Sequence, residues 1–188
     1  MNIFSSVSEC YKRWRHSRGY GVHSPFAYEL VTTVVSPGNY GYYGYCDIDR
    51  EILAPGVQVY PTVRKDARLL LRLLVNLGIS RLLIHPPSQP VFSISARAAG
   101  IKWSEVGGLK SLSSCRGEML AVNGKAPREG EVAAILSHGA AVIAFDPCQR
   151  LRREMKGAMT DGLILEGTRI LLAIPRDDMA LTEYSINF

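Results

Sequence analysis

The chain has 188 residues, 47% hydrophobic and 21% charged, with 22 Lys and Arg against 17 Asp and Glu for a net charge of +5. This length favours one domain with a single core. No stretch approaches the roughly 20 apolar residues that span a bilayer, so no membrane partner is expected. Met1-Asn2-Ile3-Phe4-Ser5-Ser6 lacks a basic start followed by an apolar run, and a cytoplasmic location is expected. Cys10, Cys46, Cys115 and Cys148 lie far apart with no CxxC pair, which argues against both a zinc site and a disulfide framework.

In chain order, the first feature is a basic run, Lys12-Arg13-Trp14-Arg15-His16-Ser17-Arg18. A second, Arg150-Leu151-Arg152-Arg153-Glu154-Met155-Lys156, comes late in the chain. Cationic and aromatic side chains suit phosphates and bases. A solvated helix face is the simpler reading, so a nucleic-acid partner is not expected. Ser24-Pro25 opens a helix, because serine caps free amides and proline tolerates the first helical position, and Phe26, Leu30, Val31 and Val34 then share a face. Residues 36–45, rich in glycine and tyrosine, read as a loop.

Thr62 is placed to cap a helix in which Ala67, Leu70, Leu71, Leu74 and Val75 recur at helical spacing, with Arg64, Lys65, Arg68 and Arg72 on the opposite face. Gly78 ends it, and Arg81-Leu82-Leu83-Ile84 reads as a buried strand. Glu118–Val122 reads as a strand, the stretch 128–137 as a helix, the stretch 140–145 as a strand and the stretch 149–159 as a helix. Such alternation implies parallel strands with right-handed crossovers. The tail, with Leu163-Ile164-Leu165, a Glu166-Gly167 turn, then 169–174 and 182–188, carries the chemistry of antiparallel strands. Residues 1–60 read as a helical and loop extension packed on a core formed by residues 61–188.

Gly19-Tyr20-Gly21-Val22-His23-Ser24-Pro25-Phe26 resembles the N-terminal signature of a bacterial family of class I, O-methyltransferase-like proteins. The 68–76 helix, Thr160-Asp161-Gly162 and the closing Tyr184-Ser185-Ile186-Asn187-Phe188 resemble that family in order and spacing. The resemblance implies an α/β, Rossmann-like methyltransferase fold: a mostly parallel sheet of seven strands with a C-terminal antiparallel hairpin. It also implies S-adenosylmethionine bound at the carboxyl ends of the central strands. Only a dozen residues separate Glu105 from Glu118, so the sheet is expected to be shortened on that edge, and an open edge admits a homodimer.

The family follows its first strand with a glycine-rich turn, since glycine lets backbone amides approach the cofactor. Here the turn reads His85-Pro86-Pro87-Ser88-Gln89-Pro90, without glycine and with three amide donors removed. The resemblance gives Glu105 the place of the residue that binds the ribose. Asn123-Gly124-Lys125 stands where the family has an Asp-Gly pair, and Asp146 where related enzymes have the first of two metal ligands, Pro147 occupying the second. A lone carboxylate is a poor metal site, so no metal is expected. His16, His85 and His138 have no metal-like spacing, His23 suits ordering a helix entrance better than general base catalysis, and neither a GxSxG elbow nor a GxxxxGK[ST] loop occurs.

The reading these residues favour is a methyltransferase-like protein with a decayed cofactor site, binding no cofactor and serving as a scaffold or interaction module for an unidentified partner. The residues at the cofactor position are His85, Ser88, Gln89, Glu105, Asn123 and Asp146, with no catalytic residue assigned. Two alternatives stay open. One is an active enzyme that holds S-adenosylmethionine through Ser88, Gln89 and Glu105, with Tyr40, Tyr42, Tyr43 and Tyr45 over the acceptor. The other is a basic module for nucleic acid or another polyanion.

Overall fold

A computed structural model describes residues 3–37, 41–54, 60, 62–87, 89–106, 116–124 and 127–188. Before the first strand come α1 (Ile3–Ser17), α2 (Pro25–Glu29), which continues as a π-helix (Leu30–Val35), α3 (Gly44–Ile52) and α4 (Val63–Asn76). Then follow β1 (Arg81–Ile84), α5 (Pro90–Ala98), β2 (Lys102–Glu105), β3 (Glu118–Asn123), α6 (Glu131–Ser137), β4 (Ala141–Phe145), α7 (Gln149–Ala158), β5 (Leu163–Glu166), β6 (Ile170–Ile174) and β7 (Thr182–Ser185).

The strands form one mixed sheet in the order β2-β1-β3-β4-β6-β5-β7. All run parallel except β6, which is antiparallel to both neighbours. This is an α/β, Rossmann-like arrangement, with helices on both faces. Leu82, Ile84, Met119, Ala121, Ile143 and Phe145 pack towards α2–α5 and the π-helix. Leu83, Leu120, Val122, Val142 and Ala144 pack towards α6 and α7. This period-2 division explains why β1, β3 and β4 read as apolar runs: a strand covered on both faces has no polar side to show. The face packed on α4 and α5 shares one core with Val22, Leu30, Val34, Ile48 and Ile52 from residues before 60.

The two edges of the sheet are built differently. At one, β2 is the outermost strand among the described residues. At the other, the β5–β6 hairpin is not the end of the sheet: β7 lies beyond β5 and pairs with it in parallel, Leu163 opposite Thr182 and Glu166 opposite Ser185. The antiparallel assignment of this last strand is therefore corrected. The cause is the path of the chain after β6, which skips over the start of β5 before entering β7. Gly162, at φ +109°, makes that passage available, since a Cβ there would overlap the Ile174 carbonyl.

The region of residues 19–26 and the closing residues 184–188 meet. The His23 amide donates to Tyr184 Oη at 3.1 Å, the Asn187 amide donates to Ser17 Oγ at 2.7 Å, and His16 Nδ1 lies 3.0 Å from the Ser185 carbonyl. Ser24 Oγ accepts from the Ala27 amide at 3.3 Å, the expected cap. The signature thus docks the N-terminal segment onto the last strand, and His23 serves this docking through its backbone.

Other sequence expectations are redrawn by packing. Arg72 is buried rather than on a polar helix face. Its guanidinium donates to the Val34 and Val35 carbonyls and, at 2.7 Å, to Tyr45 Oη, satisfying the end of the π-helix. Helix α5 was not foreseen, and α6 begins at Glu131 rather than 128, its Glu131 carboxylate accepting from the Arg128 amide at 3.0 Å. The second basic run holds α7 to the sheet. Arg152 donates to Glu166 at 2.8 Å and to the Gly167 and Thr168 carbonyls, and Lys156 bridges Glu166 at 2.7 Å and Glu183 at 3.0 Å. Burial opposes the charges of Glu166 and Lys156. Their mutual pairing, with Arg152 adding to it at Glu166, outweighs burial, so the carboxyl is held below and the ammonium above its ordinary range.

Two expectations follow. Phe92 is fully buried with its ring 5.5 Å from that of Phe145, so Phe92→Ala should destabilise by about 3–5 kcal/mol in urea unfolding. Because the Glu166 pKa is depressed by folding, its contribution is complete above the unfolded carboxyl range and is lost as pH falls through the folded value. Glu166→Gln should therefore be about 1 kcal/mol less stable than wild type at pH 7, with the gap closing below about pH 4 in denaturant titrations across pH.

Candidate functional site

Chain order reverses between β1 and β3, since β2 continues to one side of β1 and β3 to β7 to the other. In open α/β sheets a ligand crevice forms outside the carboxyl ends of the strands at such a point. The side chains around it come from the end of β1, the start of α5, the ends of β2, β3 and β4, and the start of α4, which runs back against the sheet.

Gln89 and Glu105 line one hollow of about 280 Å³ with Ile84, Pro90, Ser93 and Trp103. His85 is not in it. By alternation His85 follows Leu83 to the α6 face, where it is half-buried, and its Nδ1 has no hydrogen-bond partner among the described residues. Burial lowers its pKa, Glu131 opposing, so the imidazole is held neutral towards lower pH. Asn123 ends β3 half-buried, ahead of a Gly124 amide that donates to the Phe145 carbonyl. Ser88 lies outside the described residues, as do Lys125 and Tyr40. The turn itself carries a cis bond between Pro86 and Pro87. Helix α5 starts with Pro90, which has no amide to offer, and its Phe92 amide donates to the Gln89 carbonyl.

Sequence reasoning missed the charged cluster beside this turn. Arg169, from the β5–β6 turn, reaches across the sheet end. It donates to Thr62 Oγ1 at 2.6 Å, to Asp66 Oδ2 at 3.2 Å and to both oxygens of Asp146 at 3.2 and 3.4 Å. Thr62 does not cap α4; its hydroxyl donates to Asp66 at 2.9 Å. Tyr60 Oη donates to Gln89 Oε1 at 3.1 Å. Burial, then the negative charge of Asp66, drive the Tyr60 phenol far above its usual range, so it remains a donor. Burial opposes the charge on Arg169, but Asp146 and Asp66 outweigh it and hold the guanidinium protonated.

Asp146 is the one non-glycine residue at positive φ, +48°, among the described residues. Backbone strain of this kind collects at sites where surroundings fix the geometry. Here the fixing groups are those of Arg169, whose carbonyl also accepts from the Asp146 amide. Both carboxylate oxygens of Asp146 thus pair with Arg169, while the side chain stays exposed on its other side. No group of three His, Cys, Asp or Glu side chains suited to a metal ion occurs among the described residues. The i, i+4 spacing of Thr62 and Asp66 was the available signal. Their partner at Arg169 lies more than a hundred positions away.

Of the tyrosines expected over an acceptor, the described ones are elsewhere. Tyr42 Oη accepts from Asn76 Nδ2 at 3.1 Å, at the far end of α4, Tyr45 lies under Arg68 and accepts from Arg72, and Tyr43 is fully exposed. A larger hollow, about 600 Å³, opens at the opposite end of the sheet over Phe26, Leu77, Ile79 and Ile174. It is remote from the strand carboxyl ends, and its rim cations Arg116 and Arg176 are paired with Asp177 and Asp178. No protein-family model matches the chain, and no curated protein matches it.

Removing Arg169 leaves the buried Asp66 carboxylate without its cation. Arg169→Ala should therefore destabilise by about 1–3 kcal/mol. Asp66→Asn in the same chain should recover part of that loss, so that a double-mutant cycle in urea returns a coupling of about 1 kcal/mol or more.

Proposed function

We propose that this chain is a class I methyltransferase-type domain whose S-adenosylmethionine crevice no longer operates, and that it acts without catalysis, as a scaffold or interaction module. The observation that carries this reading is the turn after β1. Pro86, Pro87 and Pro90 supply no amides there, and the Gln89 side chain is engaged by Tyr60. A cofactor's carboxylate would need donors at this place. Two further features support the reading. The hollow beside the turn, about 280 Å³, is below the roughly 300–1,000 Å³ of small-molecule sites. Arg169 pairs with Asp146, the acid at the end of β4, at 3.2 Å.

Gln89 and Glu105 do face the same hollow, which gives the active enzyme with an unorthodox pocket standing as the second reading. Calorimetric titration with S-adenosylmethionine and S-adenosylhomocysteine separates the two. The expected result is no binding heat at millimolar ligand. Micromolar binding that Glu105→Ala abolishes would overturn the proposal in favour of the enzyme.

A further inference from the structure

From Glu9 to Ser17, helix α1 is mounted inside out. The side turned to the sheet carries Glu9, Arg13, His16 and Ser17, all partly or fully shielded, with His16 and Ser17 bonded to the last residues of the chain. The side turned to solvent carries Tyr11, 58% exposed, and Trp14, 43% exposed. Amphipathic helices of globular domains place their apolar stripe against the core, so an aromatic stripe facing outward calls for something outside the fold to cover it.

The outward face also selects its partner by charge. Lys12, Arg15 and Arg18 are exposed beside the two rings, while the helix's one acid, Glu9, pairs with Arg13 at 3.7 Å. A second copy of the same face would bring cation against cation. The occupant is therefore anionic and apolar together. The ring faces are already taken: Tyr11 and Trp14 stack on each other at 6.0 Å, Arg15 lies 5.9 Å from the Tyr11 centroid and Arg18 4.8 Å from that of Trp14. Stacking of nucleic-acid bases needs a free ring face, whereas insertion among lipid headgroups needs only apolar edges with cations beside them.

We infer that α1 is a membrane-surface helix, which lays its Tyr11–Trp14 stripe into the headgroup region of an anionic bilayer with Lys12, Arg15 and Arg18 on the lipid phosphates. No described helix is long and apolar enough to cross a membrane. Binding in the plane of the interface needs no such helix. The inference stands apart from the state of the cofactor crevice and survives either outcome of the calorimetry.

The test is flotation of the full chain with phosphatidylcholine vesicles, with and without phosphatidylglycerol. The chain has two tryptophans, so a Trp103→Phe background leaves Trp14 as the single fluorescent reporter. The chain should co-float with the anionic vesicles alone, with Trp14 emission moving to shorter wavelength. Partitioning should fall about tenfold or more in Arg15→Glu/Arg18→Glu, two charges reversed near the surface, and to a similar degree in Tyr11→Ser/Trp14→Ser. Both pairs alter exposed side chains, and an unchanged thermal melt shows that the fold is kept. The inference is overturned by absence of the chain from floated anionic vesicles, or by partitioning that neither pair reduces. It is equally overturned if the same variants abolish binding to a labelled oligothymidine, or self-association in sedimentation, while vesicle binding is absent.

Discussion

Burial of β3 and β4 on both faces is the constraint on which the rest of this structure depends. Every residue of β4, Ala141–Phe145, is buried, so the backbone there can satisfy its amides and carbonyls only through neighbouring strands. That requirement fixes β3 on one side and β6 on the other, with Ala121 opposite Ile143 and Ile143 opposite Leu172. It also demands a helical layer on each face, which α4 and α5 supply on one side and α6 and α7 on the other. The N-terminal helices are part of the same solution, since Leu30, Val34 and Ile48 share the core of the first layer.

At the carboxyl end of this sheet several described polar groups are bonded within the chain. Ligand sites in such folds depend on groups left unsatisfied by the fold and aimed at one place. Here Pro86, Pro87 and Pro90 offer no donors, the Gln89 side chain is taken by Tyr60, and the two carboxylates nearest the ends of α4 and β4 share Arg169. An arginine gripping Asp66, Thr62 and Asp146 ties the β5–β6 turn to the start of α4. These contacts stabilise the end of the sheet.

Charge on this protein is divided between structure and surface. The basic run in α7 is largely inward in function, with Arg152 and Lys156 joining the helix to Glu166 and Glu183. In the first basic run Lys12, Arg15 and Arg18 remain outward beside the exposed rings of Tyr11 and Trp14. The two segments look alike as sequence, and their roles diverge because α7 lies beside acidic strand ends while α1 meets the sheet through His16 and Ser17.

The sequence by itself determined the elements whose signal is local. Apolar runs marked β1, β3, β4, β5 and β6, helical spacing marked α4 and α7, and Ser24-Pro25 marked the start of α2. The absence of glycine between Ile84 and Pro90 was equally plain, because a missing residue type needs no coordinates to be seen. What only the tertiary structure decided were matters of what lies across a gap. Helix α5 was hidden because Pro-Val-Phe-Ser-Ile-Ser mixes proline with strand-forming residues, and packing on α4 settles it as a helix. The direction of β7 depended on a chain path over Gly162, and the burial of Arg72 on a π-helix end with carbonyls to satisfy. Of the six residues placed at the crevice, Gln89 and Glu105 do share a hollow, while His85 turned to the other face by strand alternation and Asp146 to Arg169. Hydrogen bonds and ion pairs between residues a hundred positions apart leave no periodic trace in a sequence, which is why the cluster around Arg169 came into view only with the fold.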